Sequence, residues 1–247
     1  IRSLIEASER RKKETPNREI KSYVDKPLLY TKEMAKDGYT VLIPQMLKMH
    51  LGIFESALQS AGMNVEILHT VTSSSVDEGL KYVNNDACYP SMFVVGQFID
   101  ALKSGEYNPD KVALLMPQTG GACRASNYVG FIRKALKESG FEQVPVIGIS
   151  MQGIESHPGL LDGVNIPKLI KPTIASFIYG DLLMRLSNAT RPYEAIKGST
   201  AILDNRWMEI CKKSVSNFNR REYEENIKNM VNEYSCLLYT SPSPRDS

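Results

Sequence analysis

From Tyr39 onward the hydrophobic and polar positions switch between two periods. Tyr39-Thr-Val-Leu-Ile43 is a short β-branched run closed by Pro44, which predicts a strand. Residues 46–61 then carry Met46, Leu47, Met49, Ile53, Phe54 and Leu58 at helical spacing, and Gly62 follows as the stop. Val65-Glu-Ile-Leu68 reads as a second strand. Ser75 and Glu78 have capping-box spacing and predict a short helix toward Tyr82 and Val83. Pro90 suits the first position of another helix, which runs to about Ser104. Lys111-Val-Ala-Leu-Leu-Met116, ending at Pro117, is the clearest buried strand. A glycine-containing loop then leads to a helix over 126–139, stopped by Gly140, and to a fourth strand, Val144-Pro-Val-Ile-Gly-Ile149. Strands separated by helices predict an α/β fold: a Rossmann-like or flavodoxin-like parallel sheet with helices on both faces. The helix between residues 116 and 144 demands a right-handed parallel crossover there.

Beyond residue 150 the pattern is mainly helical. Residues 167–186 are amphipathic to apolar, Arg191-Pro192 breaks the run, and 200–233 form one or two charged helices. Four segments follow from this: 1–37, a polar linker or helix; 38–150, the Rossmann-like domain; 151–235, the helical part of an incomplete second domain; and 236–247. The last segment resembles the read-through translation of a sequencing-library adapter, and is expected to be disordered and to pack against nothing. The chain starts at Ile1 rather than Met, so an upstream part is expected. No internal repeat is found.

Composition narrows the function classes. Thirty basic and 28 acidic residues in 247 leave a net charge of +2, too weak a field to recruit nucleic acid. Arg10-Arg11-Lys12-Lys13 is flanked by Glu6, Glu9 and Glu14 and reads as a solvated helix face. No apolar run approaches the ~18–20 residues that span a bilayer. Four Cys are too few for a disulfide scaffold of this size, and the start shows no secretory core. A cytoplasmic protein of a reducing compartment is expected, without nucleic-acid or membrane partners.

In an open parallel sheet, ligands gather on the loops at the strand carboxyl ends. Two such loops carry a Cys: Asn84-Asn-Asp-Ala-Cys88-Tyr-Pro90, and Gln118-Thr-Gly120-Gly121-Ala-Cys123-Arg124. Each Cys stands near a predicted helix N-terminus, where free N–H groups and the dipole favour thiolate over thiol. Gly120 and Gly121 permit backbone that turns N–H groups toward an anion. Alternatives remain open on these grounds. A lone Cys also serves as a small buried apolar residue. The 35-residue separation of Cys88 and Cys123 fits no compact ferredoxin or zinc spacing. The glycine loop lacks the G-x-G-x-x-G and P-loop spacings. Asp86 and Arg124 neighbour the two Cys and would tune their charge or cap helices. Cys211 and Trp207 share a helix face and read as core; His50 reads as a helix-face residue, while His69 and His157 lie at a strand end and in a loop. No His pair has ligand spacing, and no Ser/His/Asp set is present.

Several of these stretches resemble the 2-hydroxyacyl-CoA dehydratase superfamily. They are Tyr39-Thr-Val-Leu-Ile-Pro-Gln-Met46, Asn84-Asn-Asp-Ala-Cys-Tyr-Pro90, Gln118-Thr-Gly-Gly-Ala-Cys-Arg-Ala-Ser-Asn-Tyr128, Val144-Pro-Val-Ile147, Tyr179-Gly-Asp-Leu-Leu-Met184 and Arg191-Pro-Tyr-Glu194. The nearest likeness is to the dehydratase-like region of acyl-CoA dehydratase activase-related proteins. The resemblance implies an oxygen-sensitive iron–sulfur protein of anaerobes, with a 4Fe–4S or double-cubane cluster. It implies an ATP-dependent activase domain or subunit as electron donor, and an acyl-CoA or other small molecule as substrate. Carried onto this chain, Cys88 and Cys123 match the cluster-ligand loops, with Gly120 and Gly121 beside them. No nucleotide-binding glycine motif of an activase is present, so ATP hydrolysis is not assigned here, and no residue is identified as reading a CoA thioester. Two other readings compete. One is a non-catalytic Rossmann-like assembly or regulatory module whose Cys are merely packed. The other is a phosphate-binding domain built on Gly120-Gly121.

Overall fold

The computed structural model describes residues 5, 6, 9, 10, 13, 27–68, 72–84, 86–118, 123–150 and 157–240. Four strands are present among them: β1 (Thr40–Ile43), β2 (Val65–Ile67), β3 (Val112–Gln118) and β4 (Val146–Ser150). All neighbours pair in parallel, in the order β2-β1-β3-β4. β3 and β4 are joined through a helix and pair in parallel, as the crossover rule requires. This is the α/β architecture expected from the alternation of periods.

The strands read as continuous apolar runs because both faces of the sheet are covered. Leu42, Leu114 and Met116 point to one face, where they meet Val94, Val95, Phe98, Val129 and Ile132. Val41, Ile43, Ala113 and Leu115 alternate to the other, against Tyr30, Leu51 and Leu58. The first face is covered by α4 (Tyr89–Lys103) and α5 (Tyr128–Ser139). The second is covered by α2 (Lys48–Ser60) and the segment around α1 (Lys32–Lys36). α3 (Ser73–Tyr82) lies against α4.

The α3–α4 contact departs from expectation. Ser75 does not cap a helix. α3 begins two residues earlier, at Ser73 after Thr72, and Ser75 is fully buried within it. Its hydroxyl donates to Asp100 of α4 at 2.8 Å, and Ser74 donates to the same carboxylate at 2.7 Å. Glu78 pairs instead with Lys81 and Lys103. The helices approach backbone to backbone: a Cβ on Gly96 would stand 1.6 Å from the Ser75 carbonyl oxygen, and one on Gly79 1.9 Å from that of Met92. β3 also runs past Met116, through Pro117, which pairs with Ile149. Pro90 sits in the first turn of α4, with Tyr89 ahead of it.

After β4 come α6 (Ile166–Thr190), α7 (Ser199–Ser216) and α8 (Arg220–Thr240). Their core, built on Tyr179, Leu183, Trp207, Cys211, Met230 and Tyr234, includes Ile53 and Ala57 of α2. Shared packing therefore crosses the boundary expected at residue 150. Gly180 permits the α2–α6 approach, since a Cβ there would meet the His50 ring at 2.6 Å. The expectation for the chain end is corrected over 236–240. α8 continues to Thr240, and Cys236 and Leu237 line a groove with Ile202, Leu203 and Arg206 of α7. The reason is periodicity: Ile227, Met230, Tyr234 and Leu237 recur at three- and four-residue spacing. Residues 241–247 lie outside the described residues. No helix among the described residues is long and apolar enough to cross a membrane.

Candidate functional site

The strand order creates a switch point. β1 leads to β2 on one side, while β3 lies on its other side, so a crevice opens between the carboxyl ends of β1 and β3. The loop after β1 is clipped to α4. The Gln45 N–H donates to the Gln97 side-chain oxygen at 2.8 Å, and the Gln97 amide donates back to the Gln45 carbonyl at 3.2 Å. Gln97 is buried, so this two-way bond fixes where α4 stands relative to β1. Gln45 Oε1 is itself buried without a hydrogen-bond partner, and it leaves an unpaired acceptor on the β1 side.

Cys88 is the N-cap of α4, with φ −68° and ψ 146°. Its carbonyl accepts from the Ser91 N–H at 2.9 Å and the Ser91 hydroxyl at 2.6 Å, which holds the first turn closed. Cys123 caps the 3-10 turn Arg124–Asn127 with φ −72° and ψ 144°, nearly the same backbone. Its carbonyl accepts from the Ser126 N–H at 3.1 Å. That turn runs directly into α5 at Tyr128. Cys88 is half-buried and Cys123 is exposed.

Tyr128, the first residue after the Cys123 turn, reaches Cys88. Its ring is buried, and its hydroxyl lies 3.1 Å from Cys88 Sγ. The Tyr128 hydroxyl holds the Cys88 thiol below its ordinary value; burial acts against it, and Ser91 adds to the lowering. Conversely, Tyr128 is pushed up, first by burial and then by Cys88, with the charge of Cys123 adding to both. The phenolic oxygen donates to Cys88 when that sulfur is a thiolate. The loop before Cys88 is shaped by Asn84, whose side chain accepts the Asp86 N–H at 3.2 Å and whose carbonyl accepts the Ala87 N–H at 2.8 Å.

Gly120, Gly121 and His69 lie outside the described residues. Cys211 is fully buried in the helical core, where burial pushes its thiol up to about 12. It is a packed residue, as its spacing with Trp207 predicts. His50 is buried rather than surface-facing, and its Nε2 bonds Asp181 at 2.8 Å. His157 is buried and accepts the Tyr30 N–H at 3.1 Å. Sequence reasoning missed Tyr128, Ser91 and Gln97 as parts of this site. Tyr128 stood within a quoted motif, but its contact with Cys88 spans 40 residues, and nothing local announces it.

A cluster of four irons takes four protein ligands as a rule. Cys88 and Cys123 suit two of those positions: both are thiols on ordered caps, and one is biased toward thiolate. Among the described residues no group of three or more His, Cys, Asp or Glu side chains gathers around one point. Comparison with known proteins finds no matching family model, no matching curated protein and no matching solved structure.

Proposed function

We propose that this chain is the iron–sulfur cluster-binding component of a 2-hydroxyacyl-CoA dehydratase/activase-type system, with Cys88 and Cys123 as two cluster ligands. The observation that carries this reading is the Cys88 sulfur, at the cap of α4 and 3.1 Å from the Tyr128 hydroxyl, with Cys123 heading the turn that runs into Tyr128. When bound, the cluster would supply single low-potential electrons. The chain's own part is to present the Cys88 sulfur at the N-terminus of α4, where N–H groups and the dipole favour anionic sulfur, and the Cys123 sulfur at the head of a 3-10 turn. Tyr128 donates to the Cys88 sulfur, and hydrogen bonds to sulfur help set a cluster's potential. Ser91 keeps the cap from shifting.

The partner in this reading is an ATP-dependent activase domain or subunit, and the substrate an acyl-CoA or another small molecule to be dehydrated or reduced. Thiolate ligation of this kind suits a reducing compartment, and the reading includes a cytoplasmic location. The test is anaerobic purification or reconstitution, followed by iron and acid-labile sulfide analysis and visible absorbance. The parent protein should bind iron and sulfide together, and C88S and C123S should each lower both. Full retention in both variants, or no sulfide in the parent, leaves the packed-cysteine module as the reading.

A further inference from the structure

The 25-residue helix α6 is apolar on two faces. Ala175, Tyr179 and Leu183 enter the bundle core. On the other side Ile166, Ile170, Ile174, Phe177, Ile178 and Met184 are 40, 54, 56, 40, 45 and 39% exposed. At 3.6 residues per turn these six fall within an arc about 120° wide. A surface helix ordinarily carries one such stripe, toward its own core. Phe177 meets the Phe54 ring of α2 at 5.3 Å along one edge of this stripe, while Ile166, Ile170, Ile174, Ile178 and Met184 join no core cluster among the described residues.

We propose that this face binds a second copy of the chain, α6 packing antiparallel on its counterpart about a two-fold axis at the level of Ser176. Charge placement selects that occupant and that register. Lys171 and Asp181 each lie five residues from Ser176, on opposite sides, or about 7.5 Å along the axis. Both are exposed, the Asp181 side chain at 76%. Ile174 and Ile178 lie two residues to either side. One axis therefore sets Lys171 opposite the partner's Asp181 and Ile174 opposite the partner's Ile178, and symmetry repeats both contacts. A crossing near +20° keeps both ends within side-chain reach. His50 already holds Asp181 Oδ1 at 2.8 Å, so the carboxylate is oriented before association and Oδ2 remains for the lysine.

The area agrees. The six side chains present on the order of 500 Å² of apolar surface, the apolar content of a homodimer interface of ~800 Å² per partner at ~65% apolar. It is also at the upper end of the ~300–600 Å² patches that monomers leave open. This inference does not depend on the cluster reading.

The test is sedimentation velocity or light scattering of the whole chain at micromolar concentration. The parent should show twice the 27.7 kDa protomer mass. I174E should raise the dimer Kd at least a hundredfold, and K171E at least tenfold. K171E/D181K should return it to within a few-fold of the parent. A monomeric parent overturns the proposal and opens the face to a different occupant. A dimer indifferent to I174E places the interface elsewhere, and a charge swap that does not restore association refutes the register. Lys171 and Ile174 are exposed, so circular dichroism of K171E and I174E should match the parent, and K171E/D181K, which gives up the His50–Asp181 bond, is compared with D181K alone; if I174E loses helix, the charge-swap series alone decides.

Discussion

Cys88 and Cys211 lie on opposite sides of the sheet and show what surroundings do to one residue type. Cys88 packs at the edge of the α4–α5 core, half-buried, and its thiol is lowered by the Tyr128 hydroxyl. Cys211 sits in the α6–α8 bundle, with no exposure and a thiol raised by burial to about 12. The first environment leaves a reachable sulfur biased toward thiolate, and the second a packed thiol. The bundle also holds a hydrogen-bonded cluster: Asp204 accepts from Tyr234 at 2.5 Å, Ser187 at 2.8 Å and Arg191 at 3.1 Å. At the cysteine site the Tyr128 hydroxyl meets one half-exposed sulfur.

The largest effect that would break this contrast belongs to the bundle. D204A leaves the buried Tyr234 and Ser187 hydroxyls without their acceptor and should cost about 1–3 kcal/mol for each, read by chemical denaturation. A total loss below about 1 kcal/mol would mean that the cluster carries little of the bundle's stability. On the site side, G96A puts a Cβ 1.6 Å from the Ser75 carbonyl. It should cost about 3 kcal/mol, the upper range of overpacking, and raise hydrogen exchange in α3 and α4 first. Uniform loss of protection would show that the helix pair is no separate unit.

The cysteines themselves sharpen the comparison. C211S buries an unpaired hydroxyl and should cost about 1–3 kcal/mol while leaving bound iron unchanged. C88S should do the reverse, removing iron with stability altered by less than about 1 kcal/mol. If C211S loses iron at unchanged stability, the assignment of roles is inverted.

The smallest effect concerns Tyr128. Its hydroxyl is the largest influence lowering the Cys88 thiol, so Y128F destabilises the thiolate and raises the pKa. Below that value the thiolate fraction at any given pH falls, and alkylation slows. The pH–rate profile for iodoacetamide, taken on metal-free protein lacking Cys123 and Cys236, should move to higher pH. A shift to lower pH would mean that Tyr128 accepts from the sulfur.

Much of the fold was legible because the relevant signals are local. Thr40–Ile43 and Val112–Met116 announce buried strands by composition, and the intervening helical spacings require parallel crossovers. The failures share a cause. The Ser75–Glu78 spacing imitates a cap, but Ser75 is drawn to Asp100 by tertiary contact. Residues 236–240 looked like the start of a foreign tail. Leu237 nevertheless extends the stripe of α8 against α7, and helices follow such stripes across changes in composition.

For the candidate site, residue type and loop position single out Cys88 and Cys123 along the chain, since glycine, proline and cysteine beside strand ends are one-dimensional signals. Bringing the Cys88 sulfur onto the Tyr128 hydroxyl was decided only in three dimensions. Strand order belongs to the same class: β3 pairs with β1 rather than with β2, which opens the crevice, and no pattern within a strand encodes its neighbour. The clip between Gln45 and Gln97 and the contact of α2 with the bundle likewise join residues far apart in sequence. Local propensity reads a few residues at a time, whereas side chains distant along the chain become neighbours only when the sheet and the layers on its two faces bury the same apolar surface at once.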